Sequence, residues 1–229
     1  MQPIPPNYMA YDRTIVVFSP DGRLLQVEYA RQAVKRGTTA VGLVMKDGVV
    51  LGATKSSAPL SVTETYKKIF EIDEHIGVVG SGILADARDL VEAARVKAQI
   101  NRITYGEPIS VQTLAKYLAN HKHMATQYAG LRPFGVGLLI GGVDETGASL
   151  FETDPSGTIL QWKAQAMGRG AEKAKRILKS RFRDGMSSKE GLKLLVDALK
   201  AGEKSVSKEN MEIAVITRKG FRKISGDTI

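Results

Sequence analysis

A four-layer αββα sandwich of the α+β class, two antiparallel sheets between helix layers with a short extra N-terminal helix, is the architecture this sequence predicts. Three features of the chain carry it. Extended and helical periodicities come in blocks, strands, two helices, strands, two helices, strands, where a parallel sheet demands strict alternation. Turn residues such as Lys46-Asp47-Gly48 and Lys219-Gly220 sit between apolar runs, as antiparallel hairpins require. Helical stretches arrive in pairs, each with an apolar face to lay on a sheet.

Pro3, Pro5 and Pro6 disfavour regular structure at the start, so residues 1–12 read as a mobile tail and 13–229 as one domain. A short extended run, Thr14 to Phe18, leads into the turn Ser19-Pro20-Asp21-Gly22. Arg23 to Val34 is predicted helical, its stripe running through Leu24, Val27, Ala30 or Arg31, and Val34. A helix this short is marginal alone and needs packing, part of it against another subunit.

Extended periodicity follows at Thr39 to Met45, Val49 to Thr54, Lys68 to Ile72 and Ile76 to Ser81. Helices are predicted at Leu84 to Arg102, with Leu84, Ala87, Val91, Ala94 and Ala98 on one face, and at Val111 to Tyr128, capped by Ser110. Strands return at Phe134 to Ile140, Ser149 to Phe151 and Ile159 to Ala166, then helices at Ala171 to Phe182 and Ser188 to Lys200. Ser187 and Glu190 have capping-box spacing. Met211 to Thr217 and Phe221 to Ile224 close the chain as a hairpin.

Composition narrows the function. At 229 residues, 43% hydrophobic and 25% charged, the chain is neither disordered nor fibrous. No apolar run approaches the roughly 18 residues of a membrane helix, and Met1-Gln2-Pro3-Ile4-Pro5-Pro6 lacks the regions of a signal peptide, so a cytoplasmic protein without a membrane partner is expected. The absence of cysteine excludes disulfides, thiolate metal sites and a cysteine nucleophile. His121 and His123, two apart on a predicted helix, point to different sides and do not share a metal, so no metal or cofactor is expected.

A net charge of +9 invites a nucleic-acid reading. The dense basic stretch Lys173, Lys175, Arg176, Lys179, Arg181 and Arg183 has only Phe182 for stacking, so a solvated helix face is the better reading and no nucleic-acid partner is expected. Gly168-Arg169-Gly170 could cradle an anion before a helix, but it lacks the Walker and dinucleotide patterns and reads as a tight strand-to-helix turn.

Tyr11-Asp12-Arg13, Phe18-Ser19-Pro20-Asp21-Gly22-Arg23-Leu24 and Gln26-Val27-Glu28-Tyr29-Ala30 form a long, specific opening block. It continues through Val34-Lys35-Arg36-Gly37-Thr38-Thr39-Ala40, Lys46-Asp47-Gly48-Val49-Val50-Leu51, Ala85-Asp86-Ala87-Arg88, Arg132-Pro133-Phe134-Gly135 and Phe151-Glu152-Thr153-Asp154-Pro155-Ser156-Gly157. With these residues the chain resembles the archaeal 20S proteasome alpha-subunit family, the non-catalytic branch of the N-terminal nucleophile hydrolase fold. The resemblance implies the same four-layer fold, a homo-heptameric ring stacked on catalytic beta subunits, docking of AAA-type regulatory ATPases, and unfolded polypeptides in transit. It assigns Tyr11, Asp12, Pro20 and Tyr29 to a gate cluster, Leu24, Gly37 and Lys68 to a regulator-docking pocket, and Tyr128, Ala129, Gly130, Leu131 and Arg132 to an entrance annulus. Between Leu51 and Lys68 the sequence departs from the family pattern, which bears on contacts between subunits and not on the fold.

Two rival readings compete with it. In the catalytic branch a threonine freed after a glycine is the nucleophile and its amine the base, and Gly37-Thr38-Thr39 looks like that junction, with Lys68 before Ile69-Phe70 as the active-site lysine. Yet Thr54 stands where the catalytic branch keeps a carboxylate, and the segment ahead of Thr38 has the stripe of a retained helix. An isolated binding module would explain the lack of catalytic groups, but not a proline-rich tail joined to a surface-bound helix.

Overall fold

A computed structural model describes residues 16–55, 60, 65–207 and 209–224. The predicted tail, with Tyr11 and Asp12, lies outside the described residues, as do Thr14 and Ile15. Val16, Val17 and Phe18 are exposed and form no strand, so the described part of the expected extended run is irregular.

The first helix, α1, spans Leu25–Arg36, two residues later than predicted. The delay comes from the turn. Ser19 N donates to Arg23 O at 2.9 Å, Gly22 N to Ser19 O at 2.8 Å, and Arg23 N to Ser19 Oγ at 3.1 Å, which ties the Arg23 backbone outside the helix. Val27 is the one residue of α1 that is fully buried, while Leu24 and Val34 are half-buried.

Strands β1 (Ala40–Met45), β2 (Gly48–Thr54), β3 (Ile69–Asp73) and β4 (Ile76–Gly82) precede helices α2 (Leu84–Tyr105) and α3 (Val111–Ala125). Strands β5 (Val136–Asp144), β6 (Gly147–Thr153), β7 (Ile159–Trp162) and β8 (Ala164–Met167) then lead to α4 (Ala171–Arg181), α5 (Ser188–Gly202), β9 (Met211–Thr217) and β10 (Gly220–Ile224). The predicted block order holds. The strands form two five-stranded antiparallel sheets, ordered β10-β9-β2-β1-β8 and β3-β4-β5-β6-β7.

Alternation along each strand builds the layers, because successive side chains point to opposite faces. Val41, Leu43 and Met45 meet Leu194, Leu195 and Leu199 of α5, while Ala40 joins Val49 and Leu51 in the core between the sheets. On the other sheet Val78, Leu138 and Ile140 meet Leu90 and Val91 of α2 and Leu114 and Leu118 of α3, while Val79 and Leu139 face inward. Helix pairs thus cover both outer faces, as the sequence predicts.

Two expectations require correction. The run Ile159 to Ala166 is two strands in different sheets: β7 pairs with β6, Ile159 opposite Thr153, and β8 pairs with β1, Ala164 opposite Leu43. Lys163 makes the step, its carbonyl accepting from Val44 N at 2.8 Å. Helix α3 stops at Ala125 instead of Tyr128, where Thr126 turns its hydroxyl back onto His123 O at 2.7 Å. Both capping expectations hold: Ser110 accepts from Thr113 N, and Ser187 and Glu190 form a reciprocal box. No helix among the described residues is long and apolar enough to cross a membrane, and no cluster of His, Cys, Asp and Glu there could hold a metal ion.

Candidate functional site

The junction between α1 and β1 gathers polar groups around Lys68, a residue singled out from the sequence. At Gly37 the chain leaves α1, its N–H donating to Ala33 O and Val34 O, and its carbonyl accepts from Arg169 N at 2.8 Å. Only glycine fits here, since a Cβ would stand 2.4 Å from Gly82 N and 2.5 Å from Ser81 Oγ.

Thr38 follows, with its hydroxyl donating to Thr54 O at 2.6 Å. Lys68 Nζ donates to that hydroxyl at 2.6 Å and to Thr38 O at 2.8 Å. Lys68, the residue before β3, is only 2% exposed. Burial pushes its ammonium down to about 7, against the pull of Glu203 and Glu212 and with Arg169 adding to the fall.

Neither carboxylate orients the Lys68 ammonium by a hydrogen bond. Glu203 accepts from Thr39 N at 3.0 Å, Thr39 Oγ1 at 2.9 Å and the Arg169 guanidinium at 2.8 Å; Glu212 accepts from Lys68 N at 2.9 Å and Lys223 Nζ at 2.6 Å. Thr54 is buried and can contribute only a neutral hydroxyl, 3.4 Å from Thr39 O. The Thr38 nitrogen is an amide continuous with a helix whose Val27 is in the core, so it cannot serve as a base. Threonine and lysine are thus in contact, and among the described residues no carboxylate accepts a hydrogen bond from that lysine.

Of the residues expected in a docking pocket, Gly37 and Lys68 come together through Thr38. Leu24 does not join them. It is the N-cap of α1, and twelve helical residues put it about 18 Å from the Gly37 end. Lys67, next to Lys68, is exposed, so the two lysines face different surroundings. Of the gate cluster, Pro20 is exposed in the turn before α1 and Tyr29 is exposed on α1 itself.

The expected annulus, Tyr128 to Arg132, is an exposed loop between α3 and β5. Gly130 takes a left-handed φ of 90°, and Leu131 N reaches Tyr128 O at 3.4 Å. The loop is anchored at its end: Arg132 makes two bonds of 2.6 Å to the buried Asp86 at the start of α2, and Gly135 N donates to the same carboxylate at 2.7 Å. Burial works to raise the Asp86 pKa, but these donors prevail and hold it below the ordinary carboxylate range. Tyr128 and Leu131 are left as exposed apolar side chains on a fixed base.

Sequence reasoning missed Lys122. Its side chain is fully buried beneath α3, and its three protons meet three acceptors, Val136 O at 3.0 Å, Thr153 O at 3.0 Å and Thr153 Oγ1 at 2.8 Å. Burial pushes its ammonium down to about 7, with Asp154 and Glu152 resisting. The available signal was position: Ala115, Leu118, Ala119 and Lys122 share the buried face of α3.

Comparison with known proteins adds an independent line. A model of the proteasome subunit family matches residues 34–216, and a model of the N-terminal signature of A-type proteasome subunits matches residues 11–33. The chain is similar to the proteasome alpha subunit of Methanopyrus kandleri, 50% identical over 96% of this chain and 91% of that one. It is also similar to the proteasome alpha subunit of Methanocaldococcus jannaschii, at 48% identity over 100% and 88%, and to that of Thermococcus sibiricus, at 51% over 99% and 87%.

Proposed function

Since the chain belongs to the proteasome subunit family and carries its alpha N-terminal signature, we propose that it is the non-catalytic ring subunit of a 20S core that gates substrate passage, templates assembly with beta subunits and docks regulatory ATPases. The observation that carries this reading is the junction at Gly37 and Thr38. There Thr38 follows a helix whose Val27 is packed in the core, with a lysine to hold its hydroxyl and, among the described residues, no carboxylate hydrogen-bonded to that lysine.

The two ends of α1 support assembly. A pocket uniting Leu24 with Gly37 and Lys68 spans more than one helix length within a single chain, so it takes Leu24 from one copy and Gly37 and Lys68 from its neighbour. Between copies, a terminal carboxylate of a regulator meets the Lys68 ammonium, which has engaged two protons on Thr38 and has a third to donate. Tyr11, Asp12, Pro20 and Tyr29 secure the gate, the tail of residues 1–12 obstructs the axis, and the Tyr128 to Arg132 loops ring the passage beneath it. An annulus anchored through Arg132 on Asp86 keeps a fixed width, admitting extended chains and excluding folded ones.

Mass measurement tests the assembly reading. The purified chain forms seven-membered rings or stacked pairs of them, and under denaturing conditions it retains the residues ahead of Thr38 even after assembly with beta subunits. Monomers alone, across physiological salt and micromolar concentration, or a species beginning at Thr38, would contradict it.

A further inference from the structure

Where the Lys68 ammonium arrives depends on where its backbone stands, and charged side chains from the other sheet hold that backbone. Lys68 comes one residue ahead of β3, after the exposed Lys67. Its carbonyl accepts from Gly80 N of β4 at 3.2 Å. Its N–H donates instead to a carboxylate, Glu212 Oε2, at 2.9 Å, and Ile69 N reaches the same oxygen at 3.3 Å.

Glu212 lies on β9, buried on the inward face that it shares with Ala214 and Ile216. Lys223 of β10 pairs with Ala214, which puts it on the same face and diagonal to Glu212. From there its ammonium donates to Glu212 Oε1 at 2.6 Å and to Ile69 O at 3.1 Å. One carboxylate thus takes two successive main-chain N–H groups and one ammonium, and the ammonium returns to the same short stretch of chain. These are charge-assisted bonds, stronger than neutral ones, and they tie the start of β3 to β9 and β10 across the two sheets.

We infer that Glu212 and Lys223 are positioning residues for the Lys68 ammonium, holding the start of β3 so that this group meets the terminal carboxylate of a partner. The inference rests on the docking role proposed for Lys68. A lysine stem is flexible, and a charged head is placed well only when its backbone is fixed by supporting bonds. Neither residue touches the ammonium itself, whose bonds go to Thr38. Glu212 also acts through space. Burial brings the Lys68 pKa down to about 7, Glu203 and then Glu212 resist the fall, and Arg169 adds to it. Removing the Glu212 charge therefore lowers that pKa further.

The test uses the assembled full-length protein and a fluorescein-labelled octapeptide with a free C-terminal carboxylate, beside its C-terminal amide, followed by anisotropy across a range of pH. Wild type prefers the carboxylate peptide, and the preference fades as the pH rises through neutrality. Glu212→Gln reduces the preference about tenfold and makes it fade at lower pH. Lys223→Met also reduces it, whereas Lys223→Arg, which keeps the charge and the donors, retains it. Arg222→Met, one residue away and on the other face of β10, leaves it unchanged. Lys223→Met alone strands the buried Glu212 charge, so the double variant Glu212→Gln with Lys223→Met, which leaves no charge unpaired, reproduces the loss in a chain that folds. Equal weakening of the carboxylate and amide peptides, with the pH dependence unmoved, would reduce both residues to supports of the fold and overturn the inference. A preference that Lys68→Ala abolishes and Glu212→Gln leaves intact would overturn it while sparing the docking role. No preference in wild type would remove the docking role and the inference with it.

Discussion

Lys68→Ala abolishes docking of a regulatory ATPase through its C-terminal tail, and with it gate opening, while ring mass and basal cleavage of a very short peptide by the assembled core are preserved. The ammonium is desolvated, and a carboxylate brought to such a group gains charge-assisted hydrogen bonds on the order of a few kcal/mol, a loss of a hundredfold or more when removed. Lys67→Ala has a smaller effect, since Lys67 is exposed and its charge is screened. The linkage has a definite sign. A carboxylate that meets the ammonium favours its charged form, and burial has brought that form's pKa to about 7, so docking takes up protons and weakens as the pH rises above neutrality. Binding compared for wild type and both variants, with the same regulator bearing and lacking its terminal residues, checks this. Equal tail-dependent binding by wild type and Lys68→Ala would reject the anchor. Loss of the ring would show that Lys68 holds the fold through Thr38 and not the regulator.

The second large effect belongs to Lys122 and to stability. Its pKa is about 7 in the folded chain and about 10.4 when unfolded, so between those values the unfolded chain binds more protons and stability rises with pH. The contribution is complete above the unfolded value and is lost as the pH falls through the folded one. At roughly 1.4 kcal/mol per pKa unit it amounts to a few kcal/mol. Lys68, buried with the same depression, adds in the same direction. Lys122→Met removes one titrating group and strands Val136 O and Thr153 O without their donor, a cost of about 1–3 kcal/mol each if they stay buried. The variant is therefore much less stable than wild type at pH about 9.5 and closest to it below pH about 6.5. Denaturant unfolding across that range reads the difference, and parallel pH profiles for the two proteins would show that Lys122 carries no shifted proton.

The limits of sequence reading follow from the range of the interactions involved. Hairpins, helix pairs and the caps at Ser110 and Ser187 were legible because each is decided within a few residues. The sheet change at Lys163 was not, because apolar alternation passes through it unbroken and only the pairing partners differ. A charge on a helix is read by default as solvated, which hid Lys122; its place on an apolar stripe was the contrary signal. Lys68 and Gly37 stand out in the sequence itself, but the contact of Lys68 with Thr38 and the 46-residue reach from Asp86 to Arg132 are tertiary facts.

Gating is the central claim, and hydrolysis by the assembled core tests it most directly. The core is prepared with this chain intact and with Met1 to Asp12 deleted, and each is given a long unstructured polypeptide and a short peptide. Deletion accelerates hydrolysis of the long substrate several-fold and changes the short one less, because a tail rich in proline has little structure of its own and blocks only what must thread the axis. Unchanged rates for both substrates would contradict the account.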